Sequence, residues 1–172
     1  MSMKNNRKMI RMLAYLGITT SMALILSWVE HLLPPIYSAI PGIKIGLPNI
    51  VIIFLLYRFG WREAAAVSLV RILVVSMLFG TPMTLAYSLA GGVLSLGIMI
   101  LLKKLNFLSC VGVSVAGGVF HNIGQILMAV ILLGTAEIAY YLIVLAVTGT
   151  VAGIFVGLAG GILNKKVPKL KL

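Results

Sequence analysis

The sequence predicts an all-α fold, a polytopic membrane protein with six transmembrane helices. Three observations carry that prediction. The chain is 61% hydrophobic with a mean hydropathy of +1.14, more apolar surface than a soluble domain can hide and a quantity that a bilayer absorbs. Every Lys and Arg except Lys44 and Arg71 falls into one of four clusters: Lys4/Arg7/Lys8/Arg11, Arg58/Arg62, Lys103/Lys104 and Lys165/Lys166/Lys169/Lys171. Two apolar runs separate each cluster from the next, and the far ends of those runs carry no positive charge apart from Lys44. Charge on alternate ends is the positive-inside pattern, with both termini on the cytoplasmic side of the cell membrane.

Residues 1–172 are expected to form a single transmembrane domain. The first span, Met12 to Leu33, is about 33 Å long at the helical rise and is stopped by Pro34-Pro35. It is too long for a signal-peptide core and no convincing cleavage site follows, so it is expected to remain. Pro34 to Lys44, with Pro41-Gly42, reads as an outward loop. The second span is short, Ile45 to Phe59, with Pro48 tolerated in its first turn. A tight inward turn at Arg58, Trp61 and Arg62 leads to the third span, Glu63 to Phe79. Gly80-Thr81-Pro82 turns the chain outward. The fourth span is Thr84 to Leu102, after which Lys103 and Lys104 snorkel inward. The fifth is Ser109 to Leu133, the sixth Ile138 to Leu163, and a basic tail closes the chain.

Composition excludes several chemistries. The net charge of +11 is explained by topology and argues only weakly for nucleic acid; a basic face also attracts anionic lipid. There is no Asp, and the carboxylates are Glu30, Glu63 and Glu137. A carboxylate-rich magnesium site is therefore excluded and a glycosidase-type acid pair is disfavoured. Two His and one Cys, scattered, do not make a metal-ligand spacing. No Walker A pattern is present, so any ATP hydrolysis belongs to partner subunits. Cys110 alone cannot form an internal disulfide.

Arg71 lies halfway along the third span. An ionised Arg at the bilayer centre costs roughly 2.5–3.5 kcal/mol on insertion scales, so it must face the bundle interior or an aqueous cavity. It serves there either as a ligand for a substrate anion or carbonyl, or as a structural link to Glu, Tyr or backbone carbonyls. The fifth span carries His121, Asn122 and Gln125 within one turn, with His121 and Gln125 on one face and Gly117 continuing it. Interhelical hydrogen bonding explains such residues, and so does a ligand-facing wall. Glu30, Lys44 and Asn49 are placed to border the outward mouth of a pocket. Trp28, Tyr37, Tyr140 and Tyr141 suit an aromatic belt, and the last two also suit stacking on an aromatic ligand. Gly149, Gly153, Gly157 and Gly161 form a stripe at intervals of four that invites close helix packing. Thr19, Ala23 and Ser27 make a weaker small-residue stripe on the first span, fit for internal packing or for docking a partner helix.

Four segments resemble a known family: PGIKIGLPNIV (Pro41 to Val51), REAAAVSLVRILVVSMLFGTP (Arg62 to Pro82), SLAGGVLSLGIMILLKK (Ser88 to Lys104) and VGVSVAGGVFHNIGQI (Val111 to Ile126). They resemble the Gx transporter family, whose members are often labelled heptaprenyl diphosphate synthase component I. That family is similar to the substrate-binding S components of energy-coupling factor (ECF) transporters, six-helix proteins that bind vitamins from outside and dock on a membrane coupling subunit driven by two ATPases. The resemblance implies an S-component-like bundle, ligand held near the outward face, and a lid in the place of Pro34 to Lys44. It also implies docking through the first helix, where the S components' alanine-x-x-x-alanine motif has its nearest match in Thr19-x-x-x-Ala23 or Ala23-x-x-x-Ser27. Prenyl elongation resembling the known synthases needs aspartate-rich motifs that hold magnesium on a diphosphate. A chain without Asp has no such motif, and a role in that chemistry would be that of an accessory.

The sequence thus reads as a substrate-binding subunit of a vitamin or cofactor transporter, and not as an enzyme. The expected pocket residues are Lys44, Asn49, Arg71, His121, Asn122 and Gln125. Lys44 and Arg71 favour a ligand with phosphate, carboxylate or polarised carbonyls, and the aromatic supply suits a flavin or similar ring. The expected partners are lipid, a small molecule, an ECF coupling subunit and its ATPases, and no nucleic acid; no cofactor of the chain's own is expected. The alternative is a membrane accessory protein in polyprenyl diphosphate or quinone metabolism, or in an associated redox system.

Overall fold

The computed structural model describes residues 3–32 and 46–168. Six α-helices fill them: α1 (Met3–Leu32), α2 (Asn49–Arg58), α3 (Trp61–Phe79), α4 (Pro82–Leu105), α5 (Cys110–Leu133) and α6 (Leu142–Lys166), with a 3-10 helix at Ala136–Tyr141 before α6. The described residues contain no strand, and the predicted all-α, six-helix class stands.

Local chemistry fixes the helix ends. α2 begins at Asn49, later than the expected Ile45, because Gly46 takes a left-handed φ of 78° and its carbonyl accepts from Asn49 N–H at 2.9 Å. Pro48 therefore precedes the helix rather than sitting in its first turn. α4 begins at Pro82, earlier than expected. Thr81 and Thr84 exchange hydrogen bonds in a capping box, and Pro82 needs no donor there. Ser109 caps α5 by accepting from Gly112 N–H, and Gly134 closes it at φ 66°. The chain expected to open the sixth span at Ile138 is instead 3-10 up to Tyr141.

Contacts at the helix ends show how the helices alternate. Arg58 Nη2 donates to the Val167 carbonyl at 2.5 Å, joining the ends of α2 and α6. Lys103 donates to the Leu56 carbonyl and lies 5.2 Å from the Tyr57 ring centroid, joining the ends of α4 and α2. Both cations satisfy carbonyls at the helix C-terminal ends, where the dipole favours them. At the opposite pole the Glu30 carboxylate accepts from Gly46 N–H and from Leu47 N–H (3.3 Å). There too His31 stacks on Phe79, with centroids 4.9 Å apart. Basic residues thus gather at one pole of the bundle, as the charge clusters require.

α2 is the hub. Val51, Ile52, Ile53, Leu55 and Leu56 are all buried, packed with Ala23 of α1, Ala64 and Val67 of α3, Met99 of α4, Val113 of α5 and Val156 of α6. A short helix apolar all round is a core helix, and at about 15 Å it does not cross a bilayer by itself. Among the described residues, four stretches are long and apolar enough to cross: Asn6–Leu32, Pro82–Leu105, Cys110–Leu133 and Ala136–Lys166. α3 has the length but carries Arg62, Glu63 and Arg71. Large apolar side chains such as Met77, Val93, Ile131, Ile143 and Phe155 point outward, which suits lipid and not water. The chain is a multi-pass membrane protein.

The glycines of α6 set its approach to α5. A Cβ at Gly149 would stand 2.9 Å from the Gly118 carbonyl oxygen, one at Gly153 2.5 Å from Val115 Cα, and one at Gly157 2.7 Å from Val111 Cα. Backbones this close gain van der Waals contact that lipid cannot match. The stripe then turns: Gly160, not Gly161, faces Ile53 of α2, and Gly161 has nothing within 4 Å.

Candidate functional site

A cavity of about 110 Å³ lies inside the bundle, and all six helices contribute to its wall. α1 supplies Ser27, Glu30 and His31; the turn into α2 supplies Gly46 and Asn49; α3 supplies Arg71 and Ser76. α4 lends Ser88, Ser95 and Met99, which repeat at seven and four residues and so share one helical face. α5 gives Ser114, Gly117, His121, Asn122 and Gln125, and α6 gives Gly149 and Gly153. The cavity reaches the pole of Glu30 and Gly46, opposite the basic one.

Arg71 is the outstanding feature. It is the basic residue, His aside, among the described residues of the wall. Its Nε is buried and has no hydrogen-bond partner among the described residues. An arginine at mid-helix with an unsatisfied buried donor is costly unless something completes it. Glu30 is the nearest candidate by charge: it acts electrostatically on Arg71. Yet no hydrogen bond joins the two, and Glu30 Oε1 is engaged by Gly46 and Leu47.

α5 meets α4 where Gly91 and Gly124 remove side chains. A Cβ at Gly91 would come within 3.0 Å of both Gln125 Cγ and His121 Cε1, so Gly91 makes the room in which these two side chains reach the cavity. Asn122 turns the other way and donates from Nδ2 to the Leu145 carbonyl of α6 at 2.5 Å. It lines the cavity and also ties two helices together.

Of the expected pocket set, Asn49, Arg71, His121, Asn122 and Gln125 are brought to one cavity. Lys44 and the loop assigned as a lid lie outside the described residues. Thr19, Ala23 and Ser27 are 6%, 0% and 7% exposed. This face, expected to serve for packing or docking, is buried within the chain, where Ala23 joins the core around α2. Ser27 reaches the cavity itself. Tyr140 and Tyr141 are exposed, 82% and 47%, and do not line the cavity. The polar wall residues absent from the expected set are chiefly serines. Ser114 stands seven residues before His121 on the same face, and Ser88 and Ser95 are spaced likewise, so helical periodicity carried a signal for all three.

Fold and site together define a helical multi-pass membrane protein enclosing a cavity lined in part by polar side chains, among them an arginine whose Nε is buried. Residues 19–163 match the family described as heptaprenyl diphosphate synthase component I, and the chain belongs to that family. No curated protein and no solved structure matches it.

Proposed function

We propose that the chain is a membrane-embedded substrate-binding subunit of the S-component kind, taking a small molecule with an anionic or strongly polarised group from the side opposite the basic pole. The observation that carries this reading is the buried, unsatisfied Nε of Arg71 in a cavity to which α1 to α5 bring polar side chains. A planar guanidinium matches a carboxylate or phosphate, with Asn49, His121, Asn122 and Gln125 as the accompanying polar contacts. Lys44 remains in the proposed set on sequence grounds.

A compact ligand is better supported than a flavin. The cavity is about 110 Å³, against roughly 300 Å³ and more for sites that hold drug-sized molecules. No Trp, Tyr or Phe is among the described wall residues to stack on a ring. On the positive-inside rule we assign the basic pole and both termini to the cytoplasmic side, with the bundle proposed to lie in the cell membrane. Energised transport by this chain draws on ATP hydrolysed by partner subunits. Thr19, Ala23 and Ser27 are buried within the chain, which favours a coupling subunit meeting another surface.

The family description favours a second reading, an accessory component in prenyl diphosphate chemistry. With no Asp in the chain, the magnesium-holding carboxylates of that chemistry would come from a partner. Mass spectrometry of small molecules extracted from the purified protein tests between the two. A stoichiometric water-soluble anion or zwitterion supports substrate binding, whereas a prenyl diphosphate, or association with a soluble synthase without any such ligand, supports the accessory reading.

A further inference from the structure

The described wall of the cavity holds one formal cation and one formal anion, Arg71 and Glu30. Glu30 acts electrostatically on Arg71, yet no hydrogen bond or ion pair closes the gap between them. Each keeps an unused group. Arg71 Nε is buried without a partner among the described residues. Glu30 receives both of its backbone donors on Oε1, and Oε2 accepts no hydrogen bond from a described residue. The two backbone N–H groups pin the carboxylate at the turn into α2, so it is held in place rather than free to swing toward the arginine.

Opposite charges fixed in one cavity but not joined are poorly compensated in a low-dielectric bundle. A ligand carrying both signs would complete both at once. Among the described wall residues, an anion alone would leave Glu30 uncompensated and would be repelled by it. A cation alone would meet the same problem at Arg71. Resting on the substrate-binding reading above, we propose that the site takes a compact dipolar molecule, an amino-carboxylate whose carboxylate meets Arg71 and whose ammonium meets Glu30. The volume of about 110 Å³ suits a short chain between the two groups.

The test is calorimetric binding to the full-length protein in detergent, using unbranched ω-amino acids from glycine to 6-aminohexanoate. Acetate to hexanoate, and the matching alkylamines, serve as single-charge probes. The expected result is saturable binding of one or two adjacent ω-amino acids, at least about tenfold tighter than the carboxylate or amine of equal length, since each charge-assisted contact is worth about that factor. Glu30→Gln, which can still accept from Gly46 and Leu47, is expected to abolish that preference, and Arg71→Gln to abolish binding. If carboxylates bind as tightly as ω-amino acids and Glu30→Gln changes nothing, the dipolar class is wrong and the substrate-binding reading stands. The same holds if no probe binds but a small molecule co-purifies with the wild type and is lost from a folded Arg71→Gln variant. If no probe binds and no molecule co-purifies, both fall.

Discussion

Asn122 of α5 donates from Nδ2 to the Leu145 carbonyl of α6, across 2.5 Å, where a Cβ at Gly149 would stand 2.8 Å from that same nitrogen. A side chain that lines the cavity is therefore also a strut, and the close approach of α6 makes it one.

Asn122→Ala should accordingly act on stability first. Removing the donor is expected to cost about 0.5–1.5 kcal/mol. The Leu145 carbonyl keeps Thr148 Oγ1 as a donor at 3.1 Å, which holds the cost down. Reversible unfolding in detergent micelles measures it. A fall in ligand affinity with unchanged stability would show that the strut carries no weight.

Gly149 and Gly161 lie on the same sequence stripe and should behave oppositely. Gly149→Ala forces a methyl group against the Gly118 backbone and is expected to destabilise by about 1–3 kcal/mol. Gly161→Ala meets open space within a helix and is expected to be neutral or to stabilise by up to about 1 kcal/mol. Thermal unfolding of the two variants side by side checks the difference.

That contrast shows what was legible in the chain. Charge clusters and hydropathy are long-range patterns that a bilayer imposes, so the six helices and their alternation could be read from them. The i, i+4 relation put His121 and Gln125 on one wall, and mid-span charge marked Arg71. Spacing alone does not say which neighbour a face meets. The stripe through Gly161 in fact leaves α5 for α2 at Gly160, and on the Thr19/Ala23/Ser27 face Ala23 packs in the core around α2 while Ser27 lines the cavity. Glu30 was placed only at a pocket mouth, because its role depends on the backbone donors of Gly46 and Leu47, which the turn brings to it.

Topology is tested by labelling. On a Cys110→Ser background, single cysteines at positions 80 and 134, at the pole away from the basic residues, should react with a membrane-impermeant maleimide in intact cells. Cysteines at 60 and 104 should react only after permeabilisation. The reverse pattern would invert the bundle and put the cavity mouth on the cytoplasmic side.

The central claim is that Arg71 holds a ligand. Native mass spectrometry of the protein released from detergent tests it most directly, comparing wild type with Arg71→Lys and Arg71→Gln, each first shown to be folded by its melting curve. A discrete small-molecule adduct is expected on the wild type. It should be weakened in Arg71→Lys, which keeps the charge but loses the planar donors, and be absent from Arg71→Gln. An adduct of equal occupancy on all three folded proteins would contradict it.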